Sequence, residues 1–163
     1  MGKYIIIDID GVLNPFYARY SQLEGFTEYS AQKYSAFLNK ELITSWFKKF
    51  KDADVNLVWG SAWFQESNLI LEMLDMDEKW ECIKISTEDV GLGTWKIKSI
   101  RGWVEDNTSP NDLLVWIDDE LEEDAFLWAA ERGNMLAIKP AKESGLGETD
   151  FQEIWDFLES RSE

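Results

Sequence analysis

Short unbroken apolar runs, separated by longer stretches with helical spacing, dominate the chain. "YIIIDI" from Tyr4, "VNLVW" from Val55 to Trp59, "LLVWI" from Leu113 and "MLAIK" from Met135 read as strands buried on both faces. Gly11 and Pro15 bound the first run, Gly60 and Ser61 the second, Asp118 and Asp119 the third, and Pro140 the last. "CIKIS" from Cys82 reads as a further short strand. A helix is predicted from about Lys40, where Leu42, Ile43, Trp46, Phe47 and Phe50 form one apolar stripe behind Asn39 as N-cap. Others are predicted over 64–74, from Thr94 through Trp103, over "LEEDAFLWAAER" closing on Gly133, and over "TDFQEIWDFLES". In the last, Thr149 and Gln152 have the form of a capping box. This alternation predicts an α/β, Rossmann-like three-layer sandwich with a mostly parallel central sheet. The stretch 15–38 breaks the rhythm, and reads as a small flap or cap inserted in a single domain spanning 1–163.

Composition supports a folded core and narrows the chemistry. Hydrophobic residues make up 45% of the chain, including nine Trp and nine Phe, which argues against global disorder. The formal charge of −16, from 32 acids against 16 bases, repels nucleic acid at long range. Strong non-specific nucleic-acid binding is therefore not expected, although a local cationic pocket is compatible with that charge. The chain has no histidine, which removes Ser-His-Asp and Cys-His catalysis and the commonest zinc ligand. Cys82 is the only cysteine, so no intrachain disulfide forms. With no signal-peptide pattern and no apolar run long enough to span a bilayer, a cytoplasmic protein without membrane partners is expected.

In a parallel sheet, ligands bind beyond the carboxyl ends of the strands. Asp8 and Asp10 follow the first strand, Gly60 and Ser61 the second, and Asp118 and Asp119 the "LLVWI" strand, while Lys96 opens a helix. Two carboxylates ~4 Å apart repel by roughly 4 kcal/mol at an effective dielectric near 20. Four converging carboxylates therefore call for a cation, and an all-oxygen donor set without His or Cys suits Mg²⁺. A lysine and a hydroxyl opposite the metal suit a phosphate. Alternatives accompany several of these residues. Ser61 also fits a helix N-cap, Lys98 competes with Lys96, and Asp118 is preferred to its neighbour Asp119 for direct metal contact. Asp124 reads as a solvated helix position ahead of a supporting contact at the site. Gly11 is placed for a positive φ after the strand. Phe16, Tyr17, Arg19 and Tyr20 read equally well as packing or as substrate contacts, with Arg19 gripping a second anionic group and the rings stacking a base.

"DIDGVLN", "VWGSAW", "TWKIK" and "WIDDEL" resemble, in order and placement, the four motifs of haloacid dehalogenase-like (HAD) hydrolases. The local wording, including "AFLWAAERG", is most similar to the small HAD domains associated with Swiss Army Knife RNA-repair proteins. The resemblance implies Asp8 as nucleophile, Asp10 as general acid/base, and Ser61 and Lys96 as phosphate-holding groups. It further implies Mg²⁺ held by Asp8, Asp118, Asp119 and the backbone carbonyl of Asp10. An intact Asp-x-Asp implies a phosphatase or phosphotransferase rather than a dehalogenase. A minimal cap implies an open site, and a phosphorylated substrate: a nucleotide, a polynucleotide end or a small phosphoester. The rival class is a non-catalytic phosphate-sensing or protein-interaction module that retains the fold, suggested by the acidic surface and abundant aromatics.

Overall fold

Four of the predicted apolar runs pair as one parallel sheet. The computed structural model describes residues 1–16, 23–87 and 93–162. In chain order its strands are β1 (Lys3–Ile7), β2 (Thr27–Ala31), β3 (Tyr34–Leu38), β4 (Asn56–Trp59), β5 (Leu113–Ile117) and β6 (Met135–Ile138). The helices are α1 (Lys40–Asp52), α2 (Leu69–Met73), α3 (Ile97–Asn107), α4 (Glu123–Arg132) and α5 (Glu148–Ser160). The sheet order is β4-β1-β5-β6, with every pairing parallel. β2 and β3 form a separate antiparallel hairpin within the stretch predicted as a flap.

Strand alternation sends neighbouring residues to opposite layers. Ile5, Ile7, Leu57, Trp59, Leu113, Val115 and Ile117 meet α1, α2 and α5 together with the hairpin. Ile6, Val58, Leu114 and Trp116 meet α3 and α4. Every residue of β5 is buried, which accounts for the uninterrupted apolar run. The first layer is locked by aromatics: Trp46 of α1 stacks on Phe151 of α5 with centroids 5.6 Å apart. Each fully buried side chain of this kind contributes about 1.5–3 kcal/mol. No helix among the described residues is long and apolar enough to cross a membrane.

Several local predictions shift. "CIKIS" forms only one bridge, between Cys82 and Trp59, because β4 ends at Trp59 and offers no further backbone partner. The 64–74 helix divides into a 3₁₀ turn, Phe64–Asn68, and the short α2. Asn68, at the junction, accepts hydrogen bonds from Trp59 Nε1 and the Trp80 backbone N–H instead of capping. α3 starts at Ile97 rather than Thr94, since the Thr94 backbone and hydroxyl are engaged by Asp124. α5 is not closed by Thr149 and Gln152. Asp150 accepts from the Gly147 N–H at 2.9 Å, while Gln152 donates to Asp156. Asn39 caps α1 as expected, accepting from the Leu42 N–H, and Gly133 ends α4 at φ 78°.

Candidate active site

Register brings the predicted residues to one edge. Ile7 is level with Trp59 and with Ile117, and Ile117 with Ile138. The next residues continue the ladder: the Asp8 N–H donates to Ile117 O, Gly60 N–H to Ile7 O, and Asp118 N–H to Ile138 O. Asp8, Gly60 and Asp118 therefore leave three adjacent strands at the same height.

Lys96 crosses this edge and is 3% exposed. Its Nζ lies 2.6 Å from Asp118 Oδ2, 3.1 Å from Asp8 Oδ2 and 3.0 Å from the Gly60 carbonyl. Asp118 Oδ1 accepts from the Glu120 N–H at 2.8 Å, and Asp8 Oδ1 from the Ile9 N–H at 2.8 Å. Lys98, its competitor in sequence, is exposed. Ser61 is buried immediately after Gly60, and its Oγ accepts from the Trp63 N–H at 3.1 Å. Ser61 is therefore not the helix N-cap of its alternative reading: the following 3₁₀ turn starts behind Trp63, and the Ser61 hydroxyl closes the turn between strand and helix.

Asp118 and Asp119 both join the cluster. Strand alternation would have separated them, but β5 ends at Ile117 and the backbone turns before it can. The Asp119 carboxyl lies against Gly11 and close to the carboxyl of Asp8. Gly11, at φ 78°, lets it approach: a Cβ there would stand 2.4 Å from Asp119 Cγ. One carboxylate oxygen from each of Asp8, Asp118 and Asp119 lies within 4.8 Å of the others.

Burial and mutual repulsion govern the charges. Desolvation, then the neighbouring Asp118, holds the Asp8 carboxyl well above the usual range, although Lys96 opposes the shift. Asp118 is pushed up by burial against the opposing pull of Lys96. Asp119 is pushed up by burial and by Asp118. Burial pulls Lys96 down, but Asp8 and Asp118 together raise it above its ordinary value. With all three carboxylates ionised, one ammonium leaves two uncompensated negative charges, the charge that a divalent cation would offset. The donors are all hard oxygens, so the residues present fit such an ion.

Asp10 contributes no side-chain oxygen to that group. Its Oδ1 accepts from Asn14 Nδ2 at 2.9 Å and its Oδ2 from Trp63 Nε1 at 2.9 Å. Both donors were missed as functional candidates in the sequence; their only signal was membership of the motifs "DIDGVLN" and "VWGSAW". Asp124 takes the second of its two readings, a supporting contact. It accepts from the Thr94 N–H and from the Thr94 hydroxyl at 2.6 Å, anchoring the loop that delivers Lys96. Phe16 is exposed, whereas Tyr17, Arg19 and Tyr20 lie outside the described residues.

Size does not locate this site. A cleft of about 580 Å³ lies elsewhere, beside the hairpin turn, lined by Gln32, Glu66, Asn68 and Glu72 among others. Its ionisable lining, with Glu66, Glu72, Asp77 and Lys79 all exposed, differs from the buried cluster at the strand ends.

A search of curated proteins finds no match. The profile for the HAD domain in Swiss Army Knife RNA repair proteins matches residues 4–151, a span running from Tyr4 in β1 into α5 and holding every residue of the cluster. The chain belongs to this HAD family.

Proposed function

We propose that the chain is a Mg²⁺-dependent phosphomonoesterase working through an aspartyl-phosphate, on a nucleotide, a polynucleotide end or another phosphoester. The observation that carries this reading is Asp8, a buried carboxylate at a strand end, bridged to Lys96 and grouped with two further carboxylates. Outside such chemistry the arrangement is costly, because buried like charges oppose folding. Asp8, Asp118, Asp119 and the Asp10 carbonyl would hold the ion. When bound, it supplies positive charge against an anionic nucleophile and an anionic substrate.

The remaining work falls to the chain's own groups. Lys96 and the Ser61 hydroxyl hold phosphoryl oxygens and orient the ester. An Asp8 oxygen bonds to phosphorus as the ester P–O bond breaks, and Asp10 gives its proton to the departing oxygen. Asp10 then takes a proton from water as that water displaces Asp8 from phosphorus, releasing phosphate and restoring both carboxyls. The single cysteine suits a reducing compartment such as the cytoplasm.

The test is phosphate release from an aryl phosphate and a phosphoester panel, with Mg²⁺ and with chelator. Metal-dependent turnover is expected in wild type, with loss of at least a thousandfold in Asp8→Asn at retained fold. Absence of turnover across the panel would reject the enzyme, and full activity in Asp8→Asn would reject the nucleophile.

A further inference from the structure

The carboxylate of Asp10 stands in surroundings unlike those of the other acids. Asp8 and Asp118 face an ammonium group, whereas both Asp10 oxygens accept from neutral donors on different segments. Asn14 comes from the loop after β1, and Trp63 from the turn after β4.

Each donor is itself immobilised. The Asn14 N–H donates to Ile9 O at 3.0 Å, and its carbonyl accepts from the Gly11 N–H at 2.9 Å, closing a tight loop. Its side-chain Oδ1 accepts from the Phe37 N–H of β3 at 2.8 Å. That bond fixes the amide orientation, since only the oxygen can accept, and it leaves Nδ2 aimed at Asp10. Trp63 packs against Tyr34, also on β3, with ring centroids 5.5 Å apart. The hairpin thus braces both donors from the same strand.

We infer that Asn14 and Trp63 are positioning residues that aim the Asp10 carboxyl, and that the β2–β3 hairpin is the brace that holds them in place. The inference rests on the phosphomonoesterase reading. Two donors from rigid elements restrict both torsions of a short side chain, and general-acid catalysis depends on such geometry within fractions of an ångström. The step they serve is transfer of the Asp10 proton to the ester oxygen while the P–O bond breaks and the bond from Asp8 forms.

Leaving-group dependence separates this role from general structural support. A p-nitrophenolate leaves without protonation, whereas an alkoxide needs the acid. The experiment measures kcat/KM, which covers the steps through aspartyl-phosphate formation, for p-nitrophenyl phosphate and for an alkyl phosphate. Trp63→Phe deletes the indole N–H but keeps an aromatic ring on Tyr34. Asn14→Ala removes the other donor, and thermal unfolding monitors the fold of both variants. The expected result for Trp63→Phe is a loss of about ten- to a hundredfold on the alkyl ester, with the aryl ester within about threefold of wild type. Asn14→Ala should show the same selective loss; if it does not fold, Trp63→Phe alone decides. Equal losses on both esters, or none on either, would overturn the positioning role while leaving the enzyme reading intact. No turnover by wild type on either ester would instead remove the phosphomonoesterase reading, and this inference with it.

Discussion

Asp119→Asn should stabilise the metal-free protein, even though it removes a group from the candidate metal site. Asp8 and Asp118 each have Lys96 within 3.1 Å, but no ion pair among the described residues gives Asp119 a cationic partner. Its oxygen lies within 4.8 Å of oxygens on both neighbours. At that separation and an effective dielectric near 20, each like-charged neighbour costs about 3.5 kcal/mol. Partial protonation and relaxation reduce this, so a net gain of roughly 1–3 kcal/mol is expected on neutralising the side chain. For a chain of this size, that corresponds to a rise in Tm of about 3–8 °C. The amide also keeps the shape of the carboxylate, and it can donate to Asp8. Thermal unfolding followed by circular dichroism, at pH 8 with chelator, measures the effect. In saturating Mg²⁺ the order should invert or close, because a ligand at a hundred times its Kd adds about 2.7 kcal/mol to the protein that binds it well. A variant less stable than wild type in chelator, or an equal Mg²⁺ shift in both proteins, would refute the electrostatic account.

The same cluster sets a pH dependence. Asp8, Asp118 and Asp119 have raised folded-state values, so the folded form binds their protons more tightly than the unfolded chain. Their contribution to stability therefore falls as pH rises from the ordinary carboxylate range through those raised values. In chelator, Tm should drop over that window more steeply for wild type than for Asp119→Asn, and Mg²⁺ should flatten the slope. Lys96→Met should lower metal-free Tm by about 6 °C or more, since removing one partner of a buried pair costs about 3–5 kcal/mol; an unchanged melt would place the cluster's charge balance elsewhere. Gly11→Ala should lose at least about 1 kcal/mol from its positive φ, and should weaken Mg²⁺ binding by displacing Asp119. Calorimetric titration with Mg²⁺ checks the second part.

What was legible in the sequence divides along physical lines. Buried strands announce themselves, because a strand covered on both faces has no polar positions; hence β1, β4, β5 and β6 could be read from apolar runs alone. The acids beyond those strands were legible for the same reason, as charges abutting such runs are rare without a partner. The hairpin was not. β2 and β3 are half-exposed, with polar residues at Thr27, Glu28, Ser30 and Ser35, so no periodic signal separates them from loop. The departure of Asp118 and Asp119 from alternation was hidden too, because it depends on where β5 stops.

Asn14 and Trp63 define a deeper limit. A charged cluster can be argued from sequence, since unscreened carboxylates at one sheet edge demand compensation whatever the side-chain details. A neutral hydrogen-bonded frame makes no such demand. An asparagine after a strand fits any turn, and a tryptophan after Ser61 fits any core. Their common target appears only when β1 and β4 lie side by side and β3 closes over both. The two carboxylates of "DID" therefore face opposite constraints. Asp8 sits where burial and like charge raise its energy unless positive charge is near, whereas Asp10 sits where neutral donors hold a direction. A nucleophile that must meet an anion and an acid that must meet one oxygen call for those two environments respectively. That difference, two residues apart on one strand end, is the physical ground of the proposal that the pair divides a single reaction between them.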